Sequence, residues 1–173
     1  PACNKGFITH YNYTNERKIK NDISYNMLKL VNSYPKVPEL HQFDENIKKL
    51  SSNFCEIFNQ AYVAEQMNLN EIAGIGYRKA LEFLIKDYCI DKNKEQEEKI
   101  KKEPLSQVIT NYILSDKIKN LAKASIWIGN DETHYVRKYE DKDIKDLKRF
   151  ISATVAYITY ELIADSAQEC VNN

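Results

Sequence analysis

The chain is poor in the residues that interrupt or cross-link structure. In 173 residues it has four cysteines, four glycines, four prolines and one tryptophan. Cys3, Cys55, Cys89 and Cys170 are too scattered for a secreted disulfide scaffold, so the cysteines predict a reducing, cytoplasmic setting in which Cys55 and Cys89 pack as small hydrophobes. Net charge is also missing: 25 Lys plus Arg balance 25 Asp plus Glu. No global field draws the chain to nucleic acid or an anionic membrane, and any RNA contact has to use a local patch. Long apolar runs are absent, Ile126-Trp127-Ile128 being typical, so the sequence predicts no membrane span. The three histidines, His10, His41 and His134, fall in separate segments with no partner at ligand spacing, which argues against a metal enzyme.

What remains is a charged chain with strong helical periodicity, of a length that suits one domain with a small appendage. The expected division is residues 1–38, a β-rich appendage ending in a proline linker, and residues 39–173, a helical domain. Pro1-Ala2-Cys3-Asn4-Lys5-Gly6 has the form of a zinc knuckle whose leading cysteine is missing. It reads either as the remnant of a zinc ribbon, processed or cut at its start, or as a lone terminal cysteine. No cofactor is expected within this chain, and Cys3 would ligate zinc only as part of a longer one. Phe7 to Tyr13 and Ser24 to Val31 alternate as strands, with Asn15 to Asp22 as a charged turn, and Pro35 and Pro38 impose an extended linker.

Beyond Ser51 the pattern is helical. Ser51 or Ser52 can cap a helix with Phe54, Phe58, Ala61, Tyr62 and Glu65 on one stripe. Asn70 can cap a longer helix to Cys89, apolar over much of its circumference and so central. Gly74 and Gly76 in its first turns suggest the close approach of another backbone. Asp91 to Glu103 reads as a solvated connector, with Ile100 as its only large apolar residue. Pro104 suits the start of a short helix through Ile113, and Ser115 caps another that Gly129 is expected to stop. Asp141 is expected to cap a long last helix marked by Ile144, Leu147, Ile151, Thr154, Ile158 and Leu162, one end of which projects or pairs with a partner.

The densest cluster of functional side chains is Trp127-Ile128-Gly129-Asn130-Asp131-Glu132-Thr133-His134-Tyr135, expected to be a glycine-broken polar loop. His134 carries the group best suited to proton transfer near neutrality, and Asn130 and Thr133 can hold a phosphate or orient the imidazole. The plainer alternative puts Asn130 in the left-handed conformation beside Gly129 and His134 in local packing. Arg78 and Glu82 lie one turn apart and should pair.

Ile72-Ala73-Gly74-Ile75-Gly76-Tyr77-Arg78-Lys79-Ala80-Leu81-Glu82-Phe83-Leu84-Ile85-Lys86-Asp87, followed by Trp127 to His134, resembles the bacterial domain-of-unknown-function family 4145, over about Ser51 to Leu162. That family in turn looks like a branch of the HEPN (higher eukaryote and prokaryote nucleotide-binding) superfamily. The resemblance implies a mostly α fold, a bundle of four to five helices, with the N-terminal hairpin or zinc-ribbon remnant attached. It also implies a homodimer in defence, toxin or RNA-processing systems. Active HEPN ribonucleases are metal-independent and carry an arginine a few residues before a histidine. His134 matches the histidine, but Trp127, Ile128 and Gly129 stand where the arginine belongs, which removes the main electrostatic stabiliser of the transition state.

Two functions follow. The first is a non-catalytic or degenerate HEPN-like module that dimerises, serves an effector protein or fused domain, and binds nucleotide or RNA at the Asn130 to His134 stretch. The second is a ribonuclease in which His134 is the general acid or base, Asn130 orients, Arg78 or Arg137 holds the phosphate, and Asp131 and Thr133 contact substrate. The absent motif arginine and the zero net charge favour the first.

Overall fold

The computed structural model describes residues 6, 8–20, 23–34, 38–131 and 142–172. The chain divides into two compact units, Pro1–Glu39 and Leu40–Asn173. In the first, β1 (Ile8–Lys20) pairs antiparallel with β2 (Ile23–Tyr34). Tyr11 stands opposite Leu30 and Tyr13 opposite Leu28, with register shifts after His10 and after Tyr13. The strands are longer than the alternation suggested. Pairing continues through most of the charged stretch expected to be a turn, with Arg17 opposite Asn26 and Lys20 opposite Ile23. Backbone N–H and C=O groups pair whatever the side chain, so a charged stretch can continue the ladder.

Every regular element of the second unit among its described residues is a helix, the longer ones being α1 (Glu45–Leu50), α2 (Ser52–Gln66), α3 (Asn70–Lys92), α4 (Glu97–Lys102), α5 (Leu105–Tyr112), α6 (Asp116–Asp131) and α7 (Ile144–Asn172). The five longest correspond to the helices legible in the sequence, and α1 and α4 add one short turn pair each. α3 is the central element. Ala73, Tyr77, Ala80, Leu81, Leu84, Ile85, Tyr88 and Cys89 are all buried, which covers most of its circumference, and α1, α2, α5, α6 and α7 pack around it.

The local signals behave as their chemistry requires. Ser51 caps α2, its hydroxyl accepting from the Phe54 amide at 3.4 Å. α2 ends in a left-handed residue, Asn68, with φ of 61°. The Asn68 amide donates to the Glu65 carbonyl at 2.8 Å and the Leu69 amide to the Ala64 carbonyl at 2.9 Å, the double closure that asparagine can supply in place of glycine. Asn70 was expected to cap α3 but is its first residue; Leu69 takes the cap position and no side chain caps the helix, because Asn68 has already turned the chain. At the start of α7 the cap is Asp143, whose carboxylate accepts from the Lys145 amide at 2.8 Å and the Asp146 amide at 3.1 Å. Asp141, the expected cap, lies outside the described residues.

Two expectations fail for reasons of packing. Asp91 to Glu103 is not a solvated connector: α3 runs to Lys92, a 3-10 turn follows at Lys94–Gln96, and α4 buries Ile100 completely. One apolar side chain is enough to dock a turn of helix whose other faces carry only charge. Gly129 does not stop α6, which continues to Asp131. Asn130 is accordingly helical, and the Trp127 to Asp131 part of the supposed loop is the last turn of α6.

Candidate functional site

Gly129 is needed for a close approach. A Cβ added there would lie 2.8 Å from Cβ and 2.9 Å from Cγ of Arg78, tighter than real carbon atoms pack. The last turn of α6 therefore rests directly on the stem of Arg78, and the two sequence signatures that flank the candidate site meet at this point. Gly76, two residues before Arg78 on α3, serves α2 in the same way, since a Cβ there would come within 2.8 Å of Ala61 Cβ. This is the close approach expected at Gly76.

The guanidinium of Arg78 is engaged as well. Its Nη1 donates to Glu82 Oε2 at 3.4 Å, and the other oxygen of Glu82 is 3.0 Å from Lys86 Nζ, which also donates to the Lys101 carbonyl. Arg78, Glu82 and Lys86 thus form an i, i+4 ladder on one face of α3. Of the other residues singled out in the sequence, Asn130 and Asp131 are the last two of α6, and Thr133, His134, Arg137 and Cys3 lie outside the described residues.

A second constellation was not legible from sequence. Tyr77, fully buried on α3, donates its hydroxyl to Glu65 Oε2 on α2 at 2.6 Å. Lys148 on α7 reaches both Glu65 oxygens at 3.0 Å, with its ammonium 5.2 Å from the Tyr62 ring centroid and 5.9 Å from that of Tyr77. Burial, then the hydrogen bond to Glu65, pushes the Tyr77 phenol far above its ordinary range, so it stays a donor. Tyr77 and Arg78 are neighbours in sequence. One therefore ties the first turns of α7 through Glu65, and the other carries the last turn of α6. The only long-range signal available was the presence of Glu65 at the polar end of an otherwise apolar stripe.

His41 packs its ring edge-on to Phe43, with centroids 4.6 Å apart, and lies beside Phe58 and Tyr62. Burial and the Lys148 charge lower its pKa. Asp87 accepts from the Ser51 hydroxyl, and burial raises its carboxyl pKa above the usual range. It borders a cleft of about 330 Å³ with Glu82, Lys86 and Lys101. The thiol of Cys89 is pushed up to about 12 by burial, and so is chemically inert. Among the described residues there is no cluster of His, Cys, Asp and Glu fit to hold a metal ion, and no helix long and apolar enough to cross a membrane.

Residues 59–169, well over half of the chain, match the model of a protein family described as a domain of unknown function, DUF4145. The chain belongs to the DUF4145 family. No curated protein and no solved structure matches it. The DUF4145 region contains Arg78, Glu82, Gly129 and both outer partners of the buried network, Glu65 and Lys148, while Ser51 and the N-terminal hairpin fall outside it.

Proposed function

We propose that this DUF4145 protein is a degenerate, non-catalytic HEPN-like module that dimerises, serves an effector protein or fused domain in a bacterial defence or toxin-type system, and binds nucleotide or RNA beside the end of α6. The observation that carries the non-catalytic reading is the state of Arg78. Its stem is packed under Gly129 and its guanidinium is paired with Glu82. A guanidinium neutralised by a carboxylate offers a scissile phosphate little of the charge that transition-state stabilisation demands. The positions where an active HEPN motif carries arginine, Trp127 to Gly129, hold none. Support for association with a second copy comes from large exposed apolar residues, Met67 and Leu69 at the α2 to α3 turn and Ile72 and Ile75 on α3, the helix that carries Arg78. The test is incubation of the full chain with mixed RNA in EDTA alongside a gel-shift measurement. Retardation without cleavage is the expected result.

One observation favours a second reading, a metal-independent ribonuclease using His134. The Arg78 stem touches Gly129, the residue just ahead of the Asn130 to His134 stretch, so the only arginine on α3 is close to the chain that leads to the histidine. In that reading substrate phosphate displaces Glu82 from Arg78, with Arg137 as a second cation, and cleavage disappears in both His134→Ala and Arg78→Ala.

A further inference from the structure

A concavity of about 630 Å³ is lined by none of Arg78, Glu82 and Gly129. It opens where α3 and α5 both end, against the outer half of α7. Tyr88, Lys92 and Asn93 come from α3 and its cap, Asn111 and Leu114 from the end of α5 and the turn after it, and Glu161 from α7. A cavity of this size is within the range that small ligands occupy.

We propose that this cleft binds a small organic ammonium ion of the alkylamine or alkyldiamine class. The protein already places an ammonium there: Lys92 is ion-paired with Asp165 and its Nζ lies 5.8 Å from the centroid of the Tyr88 ring. An aromatic face beside a carboxylate is the arrangement that recognises ammonium groups. Lys92 and Asp165 cancel each other, which leaves Glu161, a carboxylate with no hydrogen bond or ion pair to any described residue. Two helix C-termini add the negative ends of their dipoles, since α3 closes at Lys92 and α5 at Tyr112. The negative field is felt by the Tyr88 phenol, whose pKa is raised first by burial and then by the Glu161 and Asp165 charges. Leu114, 94% exposed at the rim, gives an alkyl stem an apolar surface to lie on. An anion would find the one lining cation already paired.

The full chain is titrated calorimetrically with 1,5-diaminopentane, with inorganic phosphate as the anionic probe. Saturable diamine binding at one site is expected, weakened about tenfold or more by Glu161→Gln, since loss of a charged contact is worth at least one decade of affinity. Lys92→Met removes the internal competitor and leaves Asp165 open, so it should tighten binding several-fold. Glu161 is only partly buried, so the Gln variant is expected to fold, and a wild-type far-ultraviolet spectrum confirms that it has. Absence of saturable binding, equal affinity in Glu161→Gln, weaker binding in Lys92→Met, or binding of phosphate in place of the diamine would each overturn the proposal.

Discussion

Gly129 on α6 and Arg78 on α3 are packed so closely that a single added methyl would overlap the arginine stem, 2.8 Å from its Cβ. This contact joins the two halves of the sequence signature. It also explains why a helix tolerates glycine in its last turn, a position where alanine would otherwise be favoured by about 1 kcal/mol.

Gly129→Ala should therefore destabilise the protein, with the overlap costing about 1–3 kcal/mol and outweighing the gain in helix propensity. Urea denaturation measures it. In an Arg78→Gly background, which removes the Cβ and the stem, the same change should become neutral or stabilising. Additive effects of the two substitutions would show that the contact is not what excludes a side chain at 129.

The Glu65, Tyr77 and Lys148 cluster ties three helices with charge-assisted bonds. Tyr77→Phe should cost about 1–2 kcal/mol, and Glu65→Leu more, because it strands the half-buried Lys148 ammonium. The double variant Glu65→Leu with Lys148→Met should recover part of the loss. Equal losses in single and double variants would mean that the ammonium is solvated rather than held.

Ile100 distinguishes a docked α4 from a solvated connector. Its side chain is fully buried, so Ile100→Ala should cost about 2–4 kcal/mol, as large-to-small changes in a core do. A loss below about 0.5 kcal/mol is what a surface position would give.

Stability should fall as the solution is acidified below the ordinary histidine pKa of 6.5, because His41 in the folded state has its pKa lowered by burial and by Lys148. The unfolded chain then takes up a proton that the folded chain resists, and the difference stops growing below the folded-state value. Asp87, raised by burial, acts in the opposite sense. Subtracting the His41→Phe stability curve from that of wild type isolates the imidazole. A difference that does not change with pH would show that His41 titrates normally.

Much of the helical unit was legible because its signals are local. The Phe54, Phe58 and Ala61 stripe, Ser51 as a cap, Pro104 ahead of α5 and the Leu147, Ile151, Thr154 and Ile158 face of α7 all depend on spacings of a few residues, and the structure buries or caps them as read. What escaped depends on partners distant in sequence. Gly129 has the local signature of a helix stop, and only Arg78 on another helix makes it a contact residue. Ile100 is one apolar residue in a charged run, too little for a periodic signal. Lys148 and Glu65 are joined across α2 and α7, where no short-range pattern links them. Arg78 with Glu82 was the exception within the candidate site, because i, i+4 pairing is a property of one helix.

The most direct test of the central claim, a module that binds but does not cut, is to incubate the full chain with mixed RNA in EDTA, following retardation and product length in the same samples. The claim predicts retarded RNA of unchanged length at every time point. Time-dependent shortening that disappears in His134→Ala would contradict it and establish the ribonuclease instead.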